Sequence, residues 1–197
     1  MEFKPLYKAN QIARRLRALG KEISRDYGDE TIDLVGILDN SFVFFADLVR
    51  HIHTPVRCHF VRAEYRDIHD LAGHERKEIF YTPEFDAAGK NVLLVDGVLH
   101  SGVTIDFLVK RIELSQPKSI KMVVLVDKPI ERKVFLEPDY YGFRLASNKV
   151  VCGYGLAWDG FYRNLPYVAV PASKPARRRR RSRPARKATR RRKARRR

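Results

Sequence analysis

No aspartate or glutamate occurs between Lys174 and Arg197, a stretch that holds 16 Lys or Arg in a chain of 197 residues. That absence locates the formal charge of +17: residues 1–173 carry 24 basic against 23 acidic residues, so the body is nearly neutral and the terminal segment carries the field. Cysteine is equally scarce. Cys58 and Cys152 alone give no disulfide framework, fit a reducing cytoplasm, and each lies in an apolar stretch that reads as core. No apolar run approaches the roughly 18–20 residues that span a bilayer, and the N-terminus lacks the apolar centre of a secretory signal. No internal repeat is visible, and His51, His53, His59, His69 and His74 stand in no ligand frame with cysteine or acid, which leaves no metal centre to read there.

What is present is a chain long enough for one domain with a real core. From Gln11 to Tyr27, Ile12, Leu16, Leu19 and Ile23 fall at helical spacing with charges between them, which predicts an amphipathic helix ended by Gly28. The segment "IDLVGILDNSFVFFADLVRHI" begins as an apolar run without alternation, the mark of a strand covered on both faces, and passes through Asp39, Asn40 and Ser41 into a helix. "PVRCHFVRAEY" reads as a strand and "RDIHDLAGHERKEIFYTP" as a charged loop or hairpin. "NVLLVD" repeats the buried-strand pattern, "TIDFLVKRIELS" is the next helix, and Pro117 closes it. "SIKMVVLVDKP", "YYGFRLA", "KVVCGYG" and "YVAVP" add further short apolar or aromatic runs. Strands alternating with helices predict an α/β fold with a mostly parallel sheet, so the loops after Leu38, Val95 and Val126 are where a ligand would bind.

The stretch "VLLVDGVLHSGVTI" places Ser101, Gly102, Val103 and Thr104 at a strand-to-helix turn, where unpaired backbone N–H groups and the helix dipole favour an anion. Gly102 lets the backbone approach closely, and the two hydroxyls add donors for a phosphate. From spacing alone, Ser101 or Thr104 can equally be a plain helix cap. Residues 172–197 offer nothing to bury and predict a disordered tail, with Arg177, Arg178, Arg179, Arg180 and Arg181, then Arg190, Arg191, Arg192 and Lys193, as its densest charge. Such a tail predicts sequence-blind, salt-sensitive contact with DNA or RNA.

The same turn resembles the phosphoribosyl pyrophosphate (PRPP) signature of type I phosphoribosyltransferases. "GILDNSFVFFADLVRHI" and "VVCGYGLAWDGFYRNLPYVAV" are similar to segments of the hypoxanthine-guanine branch, and the likeness runs in order over roughly residues 5–171. It implies a mostly parallel sheet flanked by helices with a small hood, a domain over residues 1–171, and a homodimer or homotetramer. It also implies transfer of phosphoribosyl from PRPP to a 6-oxopurine, with Mg2+ on the departing pyrophosphate.

By that resemblance Ser101, Gly102, Val103 and Thr104 form the 5′-phosphate cradle, Lys128 reads the purine 6-oxo group, and Trp158 covers the base. Ser41 and Arg163 lie on the pyrophosphate side. The departures fall elsewhere. The family's two ribose acids are Asp96 and Gly97, its acid at purine N7 is His100, its Lys-Gly-Ser is Asp39, Asn40 and Ser41, and its metal-side acid is Ala157, with Asp159 two residues on. His100 is either a base, since imidazole accepts a proton near neutrality, or a turn residue without a role. A carboxylate at Asp39 replaces attraction for a polyanion by repulsion, and two unit charges about 4 Å apart interact by roughly 4 kcal/mol at an effective dielectric near 20.

The surviving positions suit a purine nucleotide better than PRPP. The expectation is an impaired transferase that binds a nucleotide in its body and nucleic acid through its tail, in the cytoplasm or on nucleoid or ribosome. The competing expectation is an active enzyme, with His100 as base, Asp96 on ribose, Asp159 at the metal and a tail that only localises it.

Overall fold

The computed structural model describes residues 3–69, 75–81 and 86–172. Its frame is a six-stranded sheet. Strand β2 (Ile32–Leu38) lies beside β5 (Asn91–Leu99), which is followed by β6 (Ser119–Asp127) and β7 (Tyr140–Arg144). On the other flank of β2 lie β3 (Val56–His69) and β4 (Glu75–Tyr81). All neighbours are parallel except β3 and β4, which form an antiparallel hairpin. The charged segment after Pro55 is therefore the long arm of that hairpin; residues 70–74 and 82–85, including His74, lie outside the described residues. The basic tail lies outside them too, from residue 173 onward.

Alternate residues of the apolar runs in the central strands serve opposite faces. Leu34, Leu93, Val95, Val123 and Leu125 pack against helix α1 (Ala9–Tyr27) and helix α2 (Phe42–Val49), whose stripes include Ile12, Leu16, Leu19, Ile23, Phe44 and Leu48. Val35, Val92, Leu94 and Val124 pack against Ile105, Leu108 and Ile112 of helix α3 (Val103–Glu113). Helix α1 ends at Gly28, whose φ of 57° lets the chain leave the helix. Helix α3 stops at Glu113, short of Pro117, with Gln116 at a φ of 52° turning the chain.

A small second sheet pairs β1 (Phe3–Tyr7) antiparallel with β8 (Val168–Pro171) and forms the hood. Strand β1 carried no readable signal because three of its five residues, Lys4, Pro5 and Tyr7, break any apolar run. The "KVVCGYG" stretch is not a strand: its contribution is a single bridge from Cys152 to Ala169, since Gly153 and Gly155 have φ of 89° and 93° and turn the backbone out of a ladder. Cys58 is also not core. It sits exposed on β3, whereas Cys152 is fully buried, and both are free thiols.

Candidate functional site

Strand β5 runs three residues past the "NVLLVD" stretch that marked it, because Val98 and Leu99 continue the ladder with Val126 and Asp127 of β6. The loops after β2, β5 and β6 therefore meet at one end of the sheet. Between them opens a cavity of about 440 Å³ whose polar wall is Asn40, Asp96, His100, Ser101, Thr104 and Lys128. Its apolar wall comes from Ile37, Val98, Val150 and Val151.

The turn after β5 is shaped by Gly102, whose φ is +80° and whose added Cβ would stand 2.7 Å from Val134 Cγ2. Conformation and packing both demand glycine there. Ser101 Oγ accepts the Val103 N–H at 3.4 Å, and its carbonyl accepts the Lys133 N–H at 2.9 Å. Helix α3 begins at Val103, and its N-terminal end adjoins a pocket shared by Ser101, Gly102, Thr104 and Asp96, where the helix dipole favours an anion. Val103 itself lines neither the cavity nor this pocket through its side chain.

Asp96 Oδ1 accepts the Gly97 N–H at 2.6 Å. Burial pushes its carboxyl up to about 7, against the pull of the Gly97 and Val98 N–H groups. Position 97 faces the other way. A Cβ there would meet the Asn40 carbonyl oxygen at 2.3 Å and Leu156 at 2.7 Å. An acid at 97 is thus incompatible with the loop as it lies, and the lost carboxylate and the altered loop are two aspects of one packing arrangement.

That loop is held from two sides. Arg62 Nη2 pairs with Asp39 Oδ1 at 2.7 Å, with both side chains about half exposed. Arg163 Nη1 donates to Asn40 Oδ1 at 2.7 Å and to the Gly155 carbonyl at 2.6 Å. The peptide between Leu38 and Asp39 is cis. Asp39 is therefore half of an ion pair rather than a bare carboxylate, and its repulsion toward a polyanion is smaller than its residue type implies. Ser41 is fully buried, and its Oγ has no partner among the described residues.

Lys128 is 4 % exposed, and its Nζ lies 2.5 Å from Glu131 Oε2 in the short 3-10 turn Pro129–Glu131. His100 Nε2 lies 2.5 Å from the same oxygen. Lys128 chiefly, and His100 after it, hold the Glu131 carboxyl below the usual range against the opposing effect of burial. The neighbouring Asp127 is fully buried and answered by Arg132 and Arg144 at 2.5 and 2.8 Å.

Two sequence candidates stand apart from this cluster. Trp158 is 7 % exposed, meets Phe3 edge-on at 6.1 Å between centroids, and packs with Cys152, Ala169 and Tyr162. It does not line the cavity; Val150 and Val151 do. Asp159 and Gly160, at φ of 51° and 81°, are the two central residues of a tight hairpin closed by paired bonds between Trp158 and Phe161. This Asp-Gly turn leaves Asp159 exposed at its tip, away from Asp96 and the cavity wall. The sequence reading missed Glu131, Arg62, Val150 and Val151. Glu131 carried the one available signal, a carboxylate three residues after Lys128.

The phosphoribosyl transferase domain model matches residues 3–157. The hypoxanthine-guanine phosphoribosyltransferase of Bacillus subtilis is 34% identical over 173 residues, covering 88% of this chain and 94% of that relative. A crystal structure of a hypoxanthine-guanine phosphoribosyltransferase from Bacillus anthracis superposes with a TM-score of 0.74 at 35% identity, covering 86% of this chain and 98% of that one. A hypoxanthine phosphoribosyltransferase from Staphylococcus aureus gives a TM-score of 0.76 at 28% identity, over 85% and 91% of the two chains.

Proposed function

Because the chain belongs to the phosphoribosyltransferase family, in its hypoxanthine-guanine branch, we propose that its cavity binds a purine nucleotide and that transfer from PRPP is weak or absent. The observation that carries this reading is the division of the site. The side that holds a 5′-phosphate and a base keeps Ser101, Thr104 and Lys128 around one cavity, with Gly102 shaping the turn, while among the described residues that line the cavity Asp96 is the one carboxylate. Asp96 retains its proton up to about pH 7, Ala157 has no ligand atom, and Asp159 sits at a hairpin tip.

In this reading the N–H groups at the start of α3 and the Ser101 and Thr104 hydroxyls receive the phosphate. Lys128 meets an acceptor on the base, and Val98, Val150 and Val151 exclude water from the ring faces. Mg2+ would supply charge to a departing pyrophosphate through one or two carboxylates and the substrate's own oxygens. A single half-titrated Asp96 is a poor fit for that ion, so Mg2+ belongs to the alternative in which transfer survives with His100 as base. The position of Asp159 speaks against that alternative, while the relatives' names speak for it.

The tail's 16 cations support contact with DNA or RNA, and a cytoplasmic protein associated with nucleoid or ribosome, as a homodimer or homotetramer, belongs to the same proposal. Among the described residues no helix is long and apolar enough to cross a membrane. Calorimetric titration of the full chain with GMP, IMP and AMP tests the body's role. Saturable binding of at least one is the expected result; heat indistinguishable from dilution for all three would end the nucleotide reading.

A further inference from the structure

We propose that the rings at the edge of the hood, Phe161 with Tyr162 and Phe3 behind it, form a stacking surface for an unpaired base, so that hood and tail together make one site for single-stranded nucleic acid. The inference rests on the tail's contact with DNA or RNA proposed above and deepens it by naming the class of strand. Phe161 follows the Asp159 and Gly160 turn and is 65 % exposed. Its ring centroid lies 6.3 Å from that of Tyr162, which lies 4.5 Å from Phe3 and 5.8 Å from Trp158. The buried Trp158 backs this cluster, and Trp158 and Phe161 exchange both backbone hydrogen bonds at 3.0 Å. The inner rings are thus held in place, and the outer one stands in solvent.

A single exposed phenylalanine is ordinary on a protein surface; its place is what matters here. Phe3 begins β1 and pairs with Pro171 at the end of β8, so the chain leaves the described body beside the ring cluster. Lys174, the first cation past β8, stands three residues beyond Pro171, separated from it by at most roughly 11 Å of chain. The basic segment therefore starts next to the rings. From Lys174 to Arg197 it contains no Phe, Tyr or Trp, so it carries charge for phosphates and no aromatic face for bases. The hood supplies the missing half.

Such a division of labour distinguishes strands. Bound by its cations alone, the tail follows charge density, and a duplex carries more phosphate per unit length than a single strand. Bases inside a duplex already stack on each other, whereas an unpaired base can lie on an aromatic ring. Asp159, exposed at the hairpin tip two residues before Phe161, repels phosphate, so a strand meets the hood by a base and the tail by its backbone. The planes of Phe161 and Tyr162 are 64° apart, which makes a corner for one base rather than a platform for a run. One stacked base is too weak to hold a strand alone, so the hood adds to the tail's affinity and does not replace it.

The test is fluorescence anisotropy of end-labelled strands of about 20 nucleotides, oligo-dT and an abasic strand with the same number of phosphates, titrated with the full chain at fixed salt. The expected result is roughly 10-fold tighter binding of oligo-dT, within the range for one base stacked on a ring. Phe161→Ala should remove most of that gap and leave the slope of log affinity against log salt unchanged, while Phe161→Tyr keeps the gap. Equal affinity of the two strands, or a gap that survives Phe161→Ala in a folded chain, as stacking on tail arginines would give, overturns the inference and leaves the tail reading standing. Failure of both strands to bind removes the tail reading and this inference with it.

Discussion

Asp96 lies in an environment far from its chemistry in water. Its folded carboxyl titrates near 7, raised by burial, while an unfolded aspartate titrates near 4. Between those values the native state binds the extra proton, so the contribution of this one carboxyl to stability is fully present below about pH 4 and is lost as pH rises through 7. Asp96→Asn keeps an acceptor for the Gly97 N–H and removes the titration. It should match the parent near pH 4 and melt a few degrees higher at pH 8, as thermal unfolding across that range would register; an unchanged difference between the two pH values would refute the assignment. At the same scale, the sequence revealed that Gly97 and Asp39 depart from the family pattern but not that they are linked. Gly97 lies under the Asn40 carbonyl, and Asp39 meets an arginine 23 residues away on a neighbouring parallel strand. A pairing between strands has no local spacing, which is why Arg62 escaped notice while Glu131, three residues from Lys128, carried a trace.

Among elements, the strand-turn-helix of β5 and α3 was the most legible, because a buried apolar run, a glycine and an amphipathic helix all point to one geometry. The C-terminal segment was the least. Aligned with a family motif, Trp158 and Asp159 read as ligand contacts, yet the Asp-Gly pair makes a tight hairpin that sends one to the core and the other to solvent. Two substitutions test these loops. Gly102→Ala forces a Cβ toward Val134 at a positive φ and should cost about 1–3 kcal/mol while weakening phosphate binding, read by denaturant titration and GMP affinity. Gly97→Asp pushes on the Asn40 carbonyl and Leu156, so restoring the family's acid should destabilise the chain by a comparable amount, about 1–3 kcal/mol, in chemical denaturation. If it is tolerated without loss, the 39–41 loop has another resting position and the packing account of that departure is wrong.

For the whole molecule, the fold was readable because each central strand is built on a short run without polar residues, 34–38, 92–95 and 122–126, and the helices between them carry apolar stripes. Of the hood, β8 was visible as the "YVAVP" run and the resemblance implied the rest, but β1 and its pairing from the opposite end of the chain were not visible in the residues. Charge is distributed unevenly between body and tail. Removal of residues 172–197 should abolish binding to mixed-sequence single-stranded DNA or RNA. In the full chain, log affinity should fall steeply against log salt, by about 0.7–0.9 per phosphate neutralised; a salt-insensitive interaction, or one that survives truncation, would move the contact to the body. The central claim is that a family member has kept a nucleotide pocket and lost its transfer chemistry. Its most direct test is a side-by-side assay of the full chain and the Bacillus subtilis relative with PRPP, Mg2+ and guanine or hypoxanthine, under conditions where the chain binds GMP. The account predicts saturable GMP binding with turnover at least about 100-fold below the relative, the loss of roughly 2.7 kcal/mol of transition-state stabilisation. Turnover comparable to the relative would contradict it and make His100 the base of a working enzyme.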